Sequence, residues 1–311
     1  MRLSNPEKQL CHQGYKLIAG VDEAGPMAAV MPMSKIFEYF PMQISFKRLG
    51  INVGIYKDKT KTKKDILLLH GLGSNGYEFY EEIEEDIPSK RLCAIDWIGH
   101  GQTTKLLKEE DTYDAKYMAD YLSIVIDNLI KNGILKDRFF IIAKSMSAIP
   151  LGYLCDSYKN NFEKIILITP AGFDKKMGYI FAFFSSVITR SIILSWFFSY
   201  WILYNKKRRI LQKNLRIKNW GKIISRYARS GYDIFGNMKS THIVSNRFKS
   251  IDKDILLVCG EKDFIFPKRN YLNFALENKW GITILPNEGH TFKKENFRKS
   301  AEIMRKFIGI E

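Results

Sequence analysis

Residues 139–147 read FFIIAKSMS, and the way this stretch is parsed decides the fold. Phe139 to Ala143 is a short apolar run without polar alternation, the pattern of a strand buried on both faces. Lys144-Ser145-Met146-Ser147 breaks the run, and a helix-like segment follows at once over 146–158. A serine at so tight a strand-to-helix turn is held in a strained conformation with its hydroxyl exposed. The helix start beside it offers backbone N–H groups to a developing negative charge.

Outward from this turn, strand-like and helix-like segments alternate. Strands are expected over 42–49 and 51–57, with a turn at Gly50, and over 66–69, 92–95, 139–143, 164–169, 255–259 and 282–285. Helices are expected over 74–86, 114–132, 146–158, 268–278 and 292–308. This rhythm predicts an α/β protein with a mostly parallel sheet covered on both faces. Active sites of such sheets lie at the carboxyl ends of the strands. Three of those ends carry, in chain order, Ser145, then Gly260-Glu261-Lys262-Asp263, then Pro286-Asn287-Glu288-Gly289-His290.

From about Met42 to Glu311 the chain resembles the α/β-hydrolase family. The resemblance rests on His70-Gly71-Leu72-Gly73, similar to the family's oxyanion loop, and on Asp96-Trp97-Ile98-Gly99-His100-Gly101, similar to its D-x-x-G-H-G turn. Ala143-Lys144-Ser145-Met146-Ser147 stands at the nucleophile elbow, Gly260 to Asp263 with Pro267 at the acid loop, and Gly289-His290 at the histidine loop. The resemblance implies a central sheet flanked by helices, with a helical cap after the sixth strand. It implies Ser145 as nucleophile, His290 as general base and then acid, Asp263 as the group orienting His290, and the backbone N–H groups of Leu72 and Met146 as oxyanion hole. No cofactor and no metal are implied. The expected activity is serine hydrolysis of a carboxylic ester or lipid-like acyl substrate through an acyl-enzyme. A thioesterase or carbon–carbon bond hydrolase uses the same triad, and a silent binding protein on the same fold is the alternative of another class.

The elbow departs from the family's G-x-S-x-G. Ala143 adds one methyl, Ser147 adds a hydroxyl near the crossing strand, and Lys144 either attracts an anionic substrate group or points to solvent. His70, Gly71 and Gly73 are expected to support the motif, as is His100, and Asp96 to tie down its own loop. Glu261 is the alternative to Asp263, and Ser74 and Ser147 are within reach of a substrate without holding the elbow position.

The composition is 46% hydrophobic, 14% aromatic and 26% charged over 311 residues, which excludes disordered, collagen-like and coiled-coil classes. The net charge of +16 is concentrated: residues 175–232 hold thirteen Lys or Arg and no acid, leaving 36 basic against 33 acidic residues elsewhere. Core is expected over 42–171 and 251–311, with a cap over 172–250. The cap opens with an apolar run over 178–204, interrupted by Arg190, and continues into Lys206-Lys207-Arg208-Arg209. A spanning helix would divide the nucleophile from its acid, so a helical hairpin over the site is expected instead. The basic sequel, with Trp196, Trp201 and Trp220, suits peripheral contact with an anionic membrane, and a merely solvated basic helix is the plain alternative. The stretch resembles no nucleic-acid-binding module, so no nucleic-acid partner is expected.

Residues 1–41 form a leader of weak pattern. Residues 14–25, GYKLIAGVDEAG, resemble the first active-site motif of type 2 ribonuclease H, whose metal would fall on Asp22 and Glu23. The match ends at Gly25, and a dozen residues cannot build a two-metal site. MRLSNPEKQL lacks the apolar core of a signal peptide. The four dispersed cysteines, Cys11, Cys93, Cys155 and Cys259, read as free thiols. Both point to a cytoplasmic protein, peripheral to the inner membrane surface if the basic stretch engages lipid.

Overall fold

The computed structural model describes residues 15–16, 31–32, 37–46, 49–72, 74–98, 100–103, 115–173 and 238–310. Gly73, Gly99, most of the leader, and residues 174–237 lie outside them, so most of the expected cap, with its apolar run and its basic sequel, does too.

Eight strands form one sheet: β1 (Phe37–Phe46), β2 (Leu49–Asp58), β3 (Lys64–Leu69), β4 (Leu92–Ile95), β5 (Leu135–Lys144), β6 (Phe162–Ile168), β7 (Asp254–Gly260) and β8 (Gly281–Leu285). Their spatial order is β8-β7-β6-β5-β3-β4-β2-β1. All pairs from β8 to β4 are parallel, while β4–β2 and β2–β1 are antiparallel. Helices α1 (Gly76–Glu84), α2 (Ala115–Lys131), α3 (Ala148–Tyr158), α4 (Met238–Lys249), α5 (Lys268–Asn278) and α6 (Lys294–Phe307) complete the alternation. Among the described residues no helix is long and apolar enough to cross a membrane.

The unalternating apolar strands are explained by two buried faces. Leu67, Ile141 and Leu257 pack in one core with residues of α2, α3, α4 and α5. Their neighbours Leu68, Ile142 and Val258 pack in the other with Phe79 and Ile83 of α1 and Phe297 and Met304 of α6. Val244 and Phe248 of α4 belong to the first core, so the helix that closes the inserted segment is packed with the body of the protein. The three described cysteines, Cys93, Cys155 and Cys259, are free and buried in these faces.

The first hairpin differs from expectation. Its arms run Phe37–Phe46 and Leu49–Asp58, with Phe46 opposite Leu49, and Gly50 is a strand residue opposite Ser45. Register gives the reason. The observed pairing sets Ile44 against Ile51 and Met42 against Val53, all buried. A turn at Gly50 would shift the pairing by an odd number of residues, and an odd shift exposes one arm's apolar set. Pro41 is tolerated because β1 is the sheet edge.

Candidate active site

Strand β5 ends at Lys144 in extended conformation, and Ser145 turns abruptly to φ 52°, a left-handed value for a residue with a Cβ. Such a conformation persists only when its surroundings over-determine it. Here the Ser145 carbonyl accepts from Ala171 N at 3.0 Å, and Gly71 is so close that a Cβ there would stand 3.2 Å from Ser145 Cβ. Met146 and Ser147 continue as one 3-10 turn into α3.

The other two strand ends converge on this serine. His290 Nε2 lies 2.9 Å from Ser145 Oγ, and His290 Nδ1 lies 2.9 Å from Asp263 Oδ2. A carboxylate only accepts, so Nδ1 carries the proton and Nε2 is left to accept from the serine hydroxyl. Asp263 is itself fixed: its Oδ1 accepts from Ile265 N at 2.8 Å and Phe266 N at 3.0 Å, and its side chain is fully buried. The Phe266 ring stands edge-on to the imidazole with centroids 5.3 Å apart. Glu261 is spoken for elsewhere, by Lys268 at 3.2 Å and Asn287 N at 3.1 Å. Of the two acids in the loop, it is Asp263 that lies against His290.

The supporting residues separate cleanly. Buried His70 donates from Nδ1 to Gly71 O at 2.8 Å and accepts on Nε2 from Trp97 N at 3.2 Å, the pattern of a neutral ring. Burial, with His100 nearby, pushes its pKa well below the usual histidine value. Ser147 donates to His70 O and accepts from Trp97 Nε1 at 2.8 Å. The elbow's extra hydroxyl therefore ties the oxyanion-type loop to the Asp96 turn. Asp96 is buried and accepts from Gly76 N at 2.7 Å, Gln102 N at 2.6 Å and Tyr56 Oη at 2.9 Å. Its pKa is pushed up to about 7 by burial against those three donors. Gly101, at φ 49°, lies where any Cβ would strike the Asp96 carboxylate. Asp96 thus ties down its own loop and pins the start of α1 as well.

Lys144 is engaged within the protein rather than extended into solvent. Its Nζ is 2.6 and 2.7 Å from the two carboxylate oxygens of Glu82 on α1, with the Phe79 ring beneath it. Leu72 is half-buried beside the core, Ser74 Oγ donates to Glu78 at 3.0 Å, and Gly73 lies outside the described residues. Sequence reasoning missed Glu82, Trp97 as the partner of Ser147, Phe266, and Thr169. Thr169, at φ 42°, is buried between the elbow and the histidine loop, its Oγ1 3.5 Å from His290 O. Only Trp97, inside a quoted motif, left a signal in the text. Among the described residues no group of three or more His, Cys, Asp or Glu is placed to hold a metal ion.

Comparisons with known proteins agree with this architecture. Lipase member H-A of Xenopus laevis is 26% identical over 116 residues, 36% of this chain and 25% of the lipase. The match therefore covers only about a quarter of that relative's length. A thermophilic esterase from Thermogutta terrifontis superposes with a TM-score of 0.64 at 14% identity, covering 87% of this chain and 98% of the esterase. The 2-hydroxy-6-oxo-6-phenylhexa-2,4-dienoate hydrolase of Rhodococcus sp. strain RHA1 gives 0.65 at 16% identity, over 88% of this chain and 99% of that one. At such identities the structural likeness speaks for the fold. The alpha/beta hydrolase fold family model matches residues 65–292, from the third strand of the sheet to just past His290. On that match the chain belongs to the alpha/beta hydrolase fold family.

Proposed function

We propose that the protein is a serine hydrolase that cleaves a carboxylic ester or lipid-like acyl substrate through an acyl-enzyme. The observation that carries this reading is the continuous hydrogen-bonded series Ser145 Oγ, His290 Nε2, His290 Nδ1, Asp263 Oδ2, with 2.9 Å at both junctions. The serine hydroxyl is a weak nucleophile until an imidazole takes its proton. In the first half-reaction Ser145 Oγ attacks the acyl carbonyl while its proton passes to His290 Nε2. Asp263 holds the imidazole in the needed tautomer and stabilises its cationic form. The oxyanion is received by the backbone N–H groups of Leu72 and Met146. Collapse expels the alcohol, which takes the proton from Nε2. Water then repeats the sequence: His290 takes its proton, the hydroxyl oxygen attacks the acyl carbon, and Ser145 leaves with the proton restored. The similarity to a lipase over 116 residues is in keeping with the ester class.

A fluorophosphonate probe tests the reading. Wild-type protein is expected to be labelled at Ser145, and Ser145→Ala and His290→Ala are expected to lose labelling. A wild-type protein that stays unlabelled sinks the proposal. A series of nitrophenyl esters of increasing acyl length then defines the substrate.

A further inference from the structure

We propose that the Lys144–Glu82 pair is a brace that sets the oxyanion loop against the nucleophile, making both residues positioning residues for acylation; this rests on the serine-hydrolase reading above. Alternation along β5 directs Lys144 to the side of the sheet opposite Ala143, toward α1. There its ammonium meets both oxygens of Glu82 and lies 5.6 Å from the Phe79 ring centroid. Lys144 is the residue before the strained serine, so the pair grips β5 at the point where the backbone turns.

The other end of the brace leads directly to the oxyanion loop. His70, Gly71 and Leu72 stand just before α1 in the chain, and Asn75 caps that helix by accepting from Glu78 N at 2.9 Å. Asp96 fixes Gly76 N, and Gly71 packs against Ser145. A shift of α1 along its axis therefore moves Leu72 relative to Ser145. On the far side α1 is followed by Glu85, which pairs with Lys294 and Arg298 of α6. Lys144 adds a tie from α1 to the end of β5, beside those made by Asp96 and by the packing of Phe79 and Ile83.

The side chains of Lys144 and Glu82 are 15% and 29% exposed. Ion pairs of this kind contribute little net stability. A misplacement of about 1 Å in a reacting geometry, by contrast, costs on the order of 100-fold in rate. The brace thus predicts a large kinetic effect with a small effect on folding.

The test compares Lys144→Met, Glu82→Gln and the exchanged pair Lys144→Glu/Glu82→Lys by fluorophosphonate labelling over a range of probe concentrations. Amide hydrogen exchange across residues 71–79 is measured in parallel. The single variants are expected to label at least about 10-fold more slowly at saturating probe, with unchanged half-saturation. Their 71–79 amides should exchange faster, and the exchanged pair should recover both. Singles that label at the wild-type rate, or an exchanged pair no better than the singles, overturn the brace. Failure of the wild type to label overturns the serine-hydrolase reading instead. The exchange data then decide the mechanical claim: faster exchange in the singles upholds it, and unchanged exchange overturns it.

Discussion

Ser147 occupies a place where the family pattern has glycine, and its hydroxyl is fully used. It donates to His70 O and accepts from Trp97 Nε1, both buried. Ser147→Ala leaves Trp97 Nε1 bonded to His70 O at 3.0 Å, but removes the second donor to that carbonyl and one acceptor of the indole. The expected loss is about 1–2 kcal/mol, read by denaturant unfolding, with an unchanged slope of stability against denaturant. The replaced glycine was visible in the sequence; the partner that makes serine acceptable was not, because Trp97 is 50 residues away in the chain. The same holds for Asp263. Its offset before Pro267 named it as a candidate, but only the two backbone donors of Ile265 and Phe266 explain why it, rather than Glu261, faces the histidine.

Among the elements, the acid loop and the histidine loop depend on one another. Gly260 ends β7, and a Cβ there would stand 2.1 Å from Gly289 O and 2.6 Å from Glu288 O. These are backbone atoms that cannot rotate aside. Gly260→Ala is therefore expected to push the His290 loop off Asp263. Labelling of Ser145 should slow by about 100-fold, with a destabilisation of about 1–3 kcal/mol. Labelling kinetics and thermal unfolding of the same variant check both figures. Element boundaries show where sequence reading succeeds. The helix over 268–278 is found as expected, because Pro267 starts it and Lys279 ends it at φ 56°. The first hairpin was misplaced because its turn is set by cross-strand burial of Met42, Ile44, Ile51 and Val53, and Gly50 offered a stronger local cue.

For the whole molecule, two buried groups give opposite pH dependences. Asp96 titrates near 7 in the folded protein against an ordinary aspartate value near 4. Between those values the unfolded chain is the more ionised, so the Asp96 contribution to stability falls as pH rises from about 4 to about 7 and is level above. His70 is depressed instead, so its contribution is full above about 6.5 and is lost as pH falls below that value. Subtracting the stability curve of Asp96→Asn from that of wild type should give a difference that declines between about pH 4 and pH 7; a flat difference removes Asp96 as the source. The charge of the molecule belongs to residues 175–232. Sedimentation with anionic vesicles, reversed by salt and absent with neutral vesicles, is the outcome expected if that stretch meets lipid. The alternation of strands and helices, the places of Ser145, Asp263 and His290 after strands, and the family were legible along the chain, because periodicity and turn chemistry are local properties. The hairpin register, the contact of Asp263 with His290, and the engagement of Lys144 with Glu82 came from tertiary packing. Each of those depends on which distant side chain arrives at hydrogen-bonding or packing distance, and such encounters between residues far apart in the chain leave no spacing to read.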